Sequence, residues 1–439
     1  LFLSATVGVT AIKLFDSSEK EAYDKKSLFN GSFYNIGYMA GGVVAFSFAR
    51  WVIETAIKDG VEELYFLARD GWIVKEVAEK ILPHYENPPQ LKYIYASRRG
   101  SVIPSIRTEE DIYNATNMAF SSVCVKELLQ SRFNVLETDF PNNEKKYLNS
   151  IISSGNADDV LGLKKFLQKH SSIILNCCAT ERENYLAYLK SEGMGSARKK
   201  AIVDIGHNGT LQLALNKLFE TSEISGYYFV TFEKINKLTK MKIDFSSYLL
   251  HEENQEKTFH PYCKNIGMFE FLFLPDQDSF VNIEVDNKGG YQPNFVEPNE
   301  TIRKNASGQV HRGILDYVSD VLTAVGPYYK EHSVHANDSI RIYLDFLMRP
   351  TKNDAKMFEG MFFNDSFGGN KRRYIIKSDD RRAVESWWKI GAETLYSDHG
   401  SASKIIGGGK FYRKMRKLKQ RPVQFFMDSK LFKFVRKVA

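Results

Sequence analysis

The sequence predicts an α/β protein with a mostly parallel sheet and a large helical insertion, and three observations carry that reading. Largely apolar runs of strand length recur at Leu64–Leu67, Lys92–Ala96 and Ala201–Val203, as the buried strands of parallel sheets do. Two of them lead through a glycine-containing turn directly into a segment of helical period. Residues 106 to 195, between the second and third runs, alternate acidic caps with apolar positions and hold no strand-like stretch.

Taken in order, residues 1 to about 30 have the character of a linker or the remnant of an upstream domain, with a charged run from Asp16 to Lys26. Because the chain opens at Leu1 rather than methionine, it is expected to be a fragment. Tyr34 to Asp59 is a buried helix, glycine-rich at first (Gly37, Gly41, Gly42) and then bulky (Phe46, Phe48, Trp51, Val52, Ile53). Leu64–Leu67 is a strand, Ala68-Arg-Asp-Gly71 a turn, and Trp72–Leu82 an amphipathic helix in which Ile73, Val77 and Ile81 share one face. Lys92–Ala96 is a strand ending in Ser97-Arg-Arg-Gly100. The insertion closes on a helix, Thr180–Lys190, that stops at Gly193 and Gly195. Ala201–Val203 then forms a strand, Gly226–Phe232 another, residues 243–300 an irregular aromatic stretch, and residues 310–350 helix with a turn at Pro350.

The segment with most chemical content is Ala201-Ile-Val-Asp-Ile-Gly-His-Asn-Gly-Thr-Leu-Gln212. The strand ends in an acid, Asp204, and passes through Gly206-x-x-Gly209-Thr210 into a helix. Glycines let the backbone turn tightly, and the free N–H groups of a helix start point at an anion. An adjacent carboxylate suits sugar hydroxyls or a bound Mg²⁺. Arg69 and Asp70, and then Ser97, Arg98 and Arg99, stand at the ends of the other two strands, where open α/β sheets place ligands. A phosphate-type cradle and two arginine-bearing strand ends in one sheet predict a site for a polyanion. A tight turn without a ligand and ion-paired surface arginines are the alternatives for each piece alone.

These segments together resemble the glycan-directed phosphoribosyltransferase module of bacterial ribofuranosyltransferases. The resemblance rests on Tyr34-Asn-Ile-Gly37, Leu64-Tyr-Phe-Leu-Ala-Arg-Asp-Gly71, Tyr95-Ala-Ser-Arg-Arg99, Glu181-Arg182 and Val203-Asp-Ile-Gly-His-Asn-Gly-Thr-Leu-Gln212, and covers roughly residues 30 to 390, within a catalytic domain expected over residues 31–400. It implies a phosphoribosyltransferase or Rossmann-like core, phosphoribosyl pyrophosphate (PRPP) as donor, a lipid-linked surface glycan as acceptor and Mg²⁺ as cofactor. Asp70 and Asp204 are then the catalytic acids, with Asp204 also the metal ligand. The substrate-binding set is Arg69, Gly71, Ser97, Arg98, Arg99, Arg182, Gly206, His207, Asn208, Gly209, Thr210 and Gln212. Asp70 is the first choice for general base and Asp204 for the ribose hydroxyls, though the two could exchange roles. Removal of the 5-phosphate falls to a haloacid-dehalogenase-type phosphatase domain or protein, because neither Asp70 nor Asp204 begins an Asp-x-Asp motif. Ordinary phosphoribosyltransferases carry paired acids before the phosphate loop, whereas here Val203 precedes a single Asp204. A non-catalytic sugar-phosphate-binding or scaffold module of a polysaccharide assembly complex would need only the arginines and the loop.

Four cysteines without C-x-x-C spacing, and no stretch that approaches a membrane span, point to a cytoplasmic protein with reduced thiols. The net charge of +7 divides unevenly: Lys404 to Ala439 holds twelve Lys or Arg against Asp428, so this tail carries +11 and the remainder −4. Phe411, Met415 and Leu418, and later Leu431, Phe432, Phe434 and Val435, oppose the basic residues. That pattern suits an interfacial helix on anionic lipid, at the inner face of the cell membrane, more than a nucleic-acid surface. A helix packed on its own domain is the other alternative. Truncation after Gly400 is expected to abolish sedimentation with anionic vesicles while leaving thermal stability unchanged. A lowered melting temperature, with no vesicle binding by the full chain at low salt, would make the tail part of the fold.

Overall fold

Five strands form the central sheet: β1 (Glu63–Leu67), β2 (Gln90–Ile94), β3 (Lys200–Asp204), β4 (Ser225–Phe232) and β5 (Phe245–Glu252), in the spatial order β2-β1-β3-β4-β5. They belong to a computed structural model that describes residues 6, 8–10, 13, 26–116, 122–253, 260–296, 300–331, 334–365 and 371–396. The basic tail and most of residues 1–30 therefore lie outside the described residues. Every neighbouring pair in the sheet is parallel, so the fold is the α/β, parallel-sheet class that the sequence predicts. Phe66 on β1 stands opposite Tyr93 on β2 and Val203 on β3. β5 corrects the expectation of an irregular 243–300 segment. An edge strand needs one partner only, and nearly all of its residues are half-buried rather than buried, so its apolar signal is weak.

Helices cover both faces: α1 (Phe33–Asp59), α2 (Gly71–Ile81), α3 (Ser171–Ser191), α4 (Thr210–Phe219), α5 (Ile266–Phe273) and α6 (Thr301–Val325). Strand side chains alternate between faces. Leu64, Phe66, Ala201, Val203, Tyr227 and Phe229 join a core built from α1, α2, α5 and α6. Tyr65, Leu67, Ile202 and Tyr228 face the other way, onto α3 and α4. The helical insertion between β2 and β3 has a core of its own, with Ile103, Ile112, Leu128, Phe133, Leu163 and Ile174. A two-residue antiparallel ladder, Val123–Cys124 with Ile151–Ile152, is the exception to its expected lack of strands. Residues 280–285 and 291–295 form a hairpin whose Phe280 and Ile283 pack on the α3 face.

The 27 residues of α1 are long and apolar enough to cross a membrane, contrary to the sequence expectation that no stretch comes close. Within the protein 89% of that apolar window is buried, so its apolar surface serves as core. It crosses α6 at backbone contact. A Cβ on Gly37 would lie 2.0 Å from the Val310 carbonyl oxygen, and one on Gly313 would lie 2.2 Å from that of Tyr34. Tyr34 and Tyr38 flank the crossing by donating to Asp316 and Asp320 at 2.7 and 2.6 Å.

Gly37→Ala is accordingly expected to destabilise the protein by about 1–3 kcal/mol, the usual cost of overpacking. Gly308→Ala, on an exposed turn of α6 where a Cβ would meet nothing within 4 Å, is expected to raise stability by up to about 1 kcal/mol. Denaturant unfolding of the two variants checks both, and equal effects would contradict a backbone-to-backbone crossing.

Candidate functional site

The strand order creates one distinctive place at the carboxyl ends of the strands. From β1 the chain goes to β2 on one side and later returns to β3 on the other. α2 leaves β1 over one face, while α4 leaves β3 over the opposite face. Such a switch point opens a crevice beyond the strand ends, where open α/β sheets bind ligands. Here it is bounded by the turn 68–70, the turn 205–209 and the starts of α2 and α4, whose first-turn N–H groups lack intrahelical acceptors. The peptide bonds Ala68–Arg69 and Gly206–His207, one in each turn, are cis.

Three carboxylates meet at this rim. Asp70 occupies the N-cap of α2 but makes no capping bond with its side chain. Burial pushes its carboxyl up to about 6, against the pull of Arg69 and Arg303. Asp204, at the end of β3, is pushed up to about 7 by burial and by the charge of Asp70. Its carboxylate accepts from the Gly206 N–H at 3.4 Å. The third acid, Glu270 on α5, is also pushed to about 7, by burial and then by Asp70, against Arg98, Arg373 and Arg69.

The remaining residues expected at the site divide into those at the rim and those committed elsewhere. Arg69 is half-buried and donates to the Gln277 carbonyl at 3.5 Å. Arg98 is exposed and close enough to act on Glu270. Gly71 and Thr210 open the two helices, and Asn208 lies between the cradle glycines. Arg99 does not join them: it is buried in a bidentate pair with Glu181, both contacts 2.6 Å, and its Nε donates to the Ser131 carbonyl. Arg182 donates to the carbonyls of Pro104 and Ile106. Ser97 caps the turn that follows it, accepting from Gly100 N–H and donating to the Phe280 carbonyl. Gln212 is fully buried, donates to the carbonyls of Ile224 and Asp244 before β4 and β5, and accepts from Tyr228. All four fasten the fold, because each is held by hydrogen bonds to the protein itself.

The cradle also differs in detail. The His207 ring stacks on Phe232 at 4.5 Å and shares a 2.7 Å hydrogen bond with the Tyr262 hydroxyl. Burial holds its imidazole down to about 4, so it is neutral at pH 7. A Cβ on Gly209, which has φ +63°, would strike Leu238 at 2.6 Å and Ile235 at 2.8 Å. Glycine is required there by the left-handed backbone and by the packing beneath the turn, rather than by approach of a ligand from above. Gly206, with φ +135°, is pressed against the Val230 carbonyl oxygen at 2.3 Å from the position of a Cβ.

Sequence reasoning missed Glu270, Arg303, Tyr262 and Arg373. A signal existed for Glu270, the lone acid in Phe269-Glu-Phe-Leu-Phe273, since a carboxylate inside an apolar run needs a reason to be there. Arg303, in the polar Thr301-Ile-Arg-Lys-Asn305, carries no such mark.

Among the described residues no group of three or more His, Cys, Asp or Glu side chains is set to hold a metal ion by itself. The site fits Mg²⁺ in its other common form, where one or two carboxylates share the ion with substrate phosphates and water. Asp204, whose proton affinity the charge of Asp70 raises, is the side chain that could hold such an ion. A separate cavity of about 590 Å³, lined by Arg198, Lys199, Lys200 and Lys242 among others, opens at the amino end of the sheet and is not part of this rim. Comparison with models of known protein families and with curated proteins finds none that matches the chain.

The raised carboxyls fix the sign of a pH effect. A group that binds its proton more tightly folded than unfolded adds stability below its unfolded pKa and loses it as pH rises through the folded value. Asp204→Asn is therefore expected to gain stability relative to the wild type between pH 5 and pH 8. Urea unfolding at the two pH values measures it, and an unchanged difference would mean that Asp204 is not buried as a charge.

Proposed function

We propose that the protein transfers ribofuranose 5-phosphate from PRPP to a hydroxyl of a bacterial surface glycan and releases pyrophosphate. The observation that carries this reading is the β1/β3 switch point itself. It combines two helix starts, Arg69 and two coupled carboxylates in one place, which suits a ligand with two anionic ends and a reacting sugar between them.

The start of α4, with Gly206 to Thr210, receives the 5-phosphate through backbone N–H groups. Arg69 and Arg98 receive the pyrophosphate, where guanidinium forks match phosphate oxygens. Asp204 orients the ribose hydroxyls and would hold Mg²⁺ together with the donor's oxygens. When bound, the ion neutralises charge on the departing pyrophosphate. The bond from the anomeric carbon to pyrophosphate breaks, a bond from that carbon to the acceptor oxygen forms, and the acceptor's proton passes to Asp70. Asp70 suits that role because its carboxylate makes no capping bond, whereas that of Asp204 accepts from backbone. Dephosphorylation of the product is left to a separate phosphatase domain or protein.

Asp70→Asn is expected to lower transfer by about 10²–10⁴-fold, the usual contribution of a general base, while PRPP binding stays within a few-fold. Pyrophosphate release with a panel of glycan acceptors and calorimetric titration of PRPP measure the two. Full activity of the variant removes Asp70 as base. A wild type that binds PRPP but releases no pyrophosphate with any acceptor would favour a scaffold that only binds sugar phosphates.

A further inference from the structure

Arg303 is buried beneath the rim in a way that stability does not explain. The residue is 1% exposed. A buried guanidinium is tolerated when its N–H groups are satisfied, and replacing a buried ion pair by apolar side chains is often neutral or stabilising. Here satisfaction is incomplete. Nε donates to Glu300 at 2.5 Å, and Nη1 donates to the Pro275 carbonyl and, weakly, to Ser307 at 3.5 Å. Nη2 is buried and has no partner.

Two consequences reach the site. The first is electrostatic: Asp70 is faced by Arg69 in its own turn, Tyr93 on β2, Asp204 on β3, Tyr262 in the short helix before α5, Glu270 on α5, and Arg303 on α6. Of these, the two arginines favour its charged form, and Arg303 is the fully buried one of the two. The second is mechanical. Pro275 opens the segment that carries Gln277, whose carbonyl accepts from Arg69 at 3.5 Å and whose side chain accepts from Tyr93 at 2.5 Å. One guanidinium thus bears on both members of the Arg69-Asp70 turn.

We propose that Arg303 is a positioning residue of this site: from α6 it sets a buried positive charge against Asp70 and fixes the segment against which Arg69 rests. The proposal builds on the PRPP-transfer reading above. Arg303 touches no substrate in it, so its loss should appear in turnover and not in donor affinity.

The test uses the full chain with PRPP, Mg²⁺ and an acceptor, following pyrophosphate release and melting temperature. Arg303→Met alone removes the buried ion pair of Glu300 with Arg303 and leaves that acid's charge in place, so Glu300→Gln with Arg303→Met, which removes both charges, and Arg303→Lys, which keeps one, accompany it. In the double variant kcat is expected to fall by roughly 10- to 100-fold, as loss of an outer-shell partner does, with KM for PRPP and the melting temperature little changed. Arg303→Lys is expected to restore most of kcat. Wild-type kcat in a folded double variant would reduce the pair to a structural role and overturn the proposal, as would unfolding of both that variant and Arg303→Lys. A rise in KM at constant kcat would overturn it too, by making Arg303 a donor contact. A wild type that releases no pyrophosphate defeats the underlying transfer reading, whereas an active wild type with an indifferent double variant defeats only the role of Arg303.

Discussion

The backbone contact between α1 and α6 is the constraint on which the rest of the structure depends. Helices normally pack with their axes 8–10 Å apart because side chains intervene. Gly37 and Gly313 remove those side chains where the two helices cross, and Gly42 admits the ring of Tyr317 at the same interface. Brought this close, α6 can lie within the core that covers one face of the sheet. It then carries Arg303 and His311 under the carboxyl rim, where His311 stacks on Trp72 of α2 and shares a hydrogen bond with the Leu272 carbonyl of α5. The floor of the site is therefore set by a crossing whose glycines lie more than 270 residues apart in sequence.

On that floor the protein assembles an arrangement that a core built for stability would avoid. Asp70 raises the affinity of Asp204 and Glu270 for protons and Glu270 raises that of Asp204, while Arg98, Arg373 and Arg69 oppose the rise at Glu270 and Arg69 and Arg303 oppose it at Asp70. Burial of charge is unfavourable and like charges at close range compound it. Such clusters persist where the protein uses them, which is why perturbed carboxyls mark functional sites more often than structural ones. The neutral His207, held between Phe232 and Tyr262, adds no charge and anchors the turn that follows β3.

The arginines show how similar residues acquire opposite duties. Arg98 and Arg99 are neighbours in sequence, yet one is exposed toward the rim and the other is locked to Glu181 inside the junction with the helical insertion. A bidentate buried pair of this kind fixes geometry and commits the guanidinium's fork to Glu181 rather than to a ligand. Together with Arg182 and its two carbonyl acceptors, it secures the insertion on the sheet, so that α3 can pack along one face without disturbing the crevice.

The amino-acid sequence by itself determined the class of fold, because apolar runs of strand length followed by glycine turns and periodic helices are local patterns. It also placed Arg69, Asp70, Asp204 and the Gly206–Thr210 turn at strand ends, since that needs only the order of elements along the chain. Tertiary structure alone decided that β3 lies beside β1, so that those two strand ends face a common crevice. It alone brought Glu270 and Arg303 there, from helices that follow the sheet in sequence and enter the site through packing. It also withdrew Arg99, Arg182, Ser97 and Gln212 from the set, because a polar side chain aimed at a ligand and one satisfied by a distant carbonyl are identical in sequence. The physical reason is the same throughout: periodicity and turn chemistry act over a few residues, whereas strand order, burial of charge and hydrogen-bond partnership depend on contacts between segments far apart in the chain.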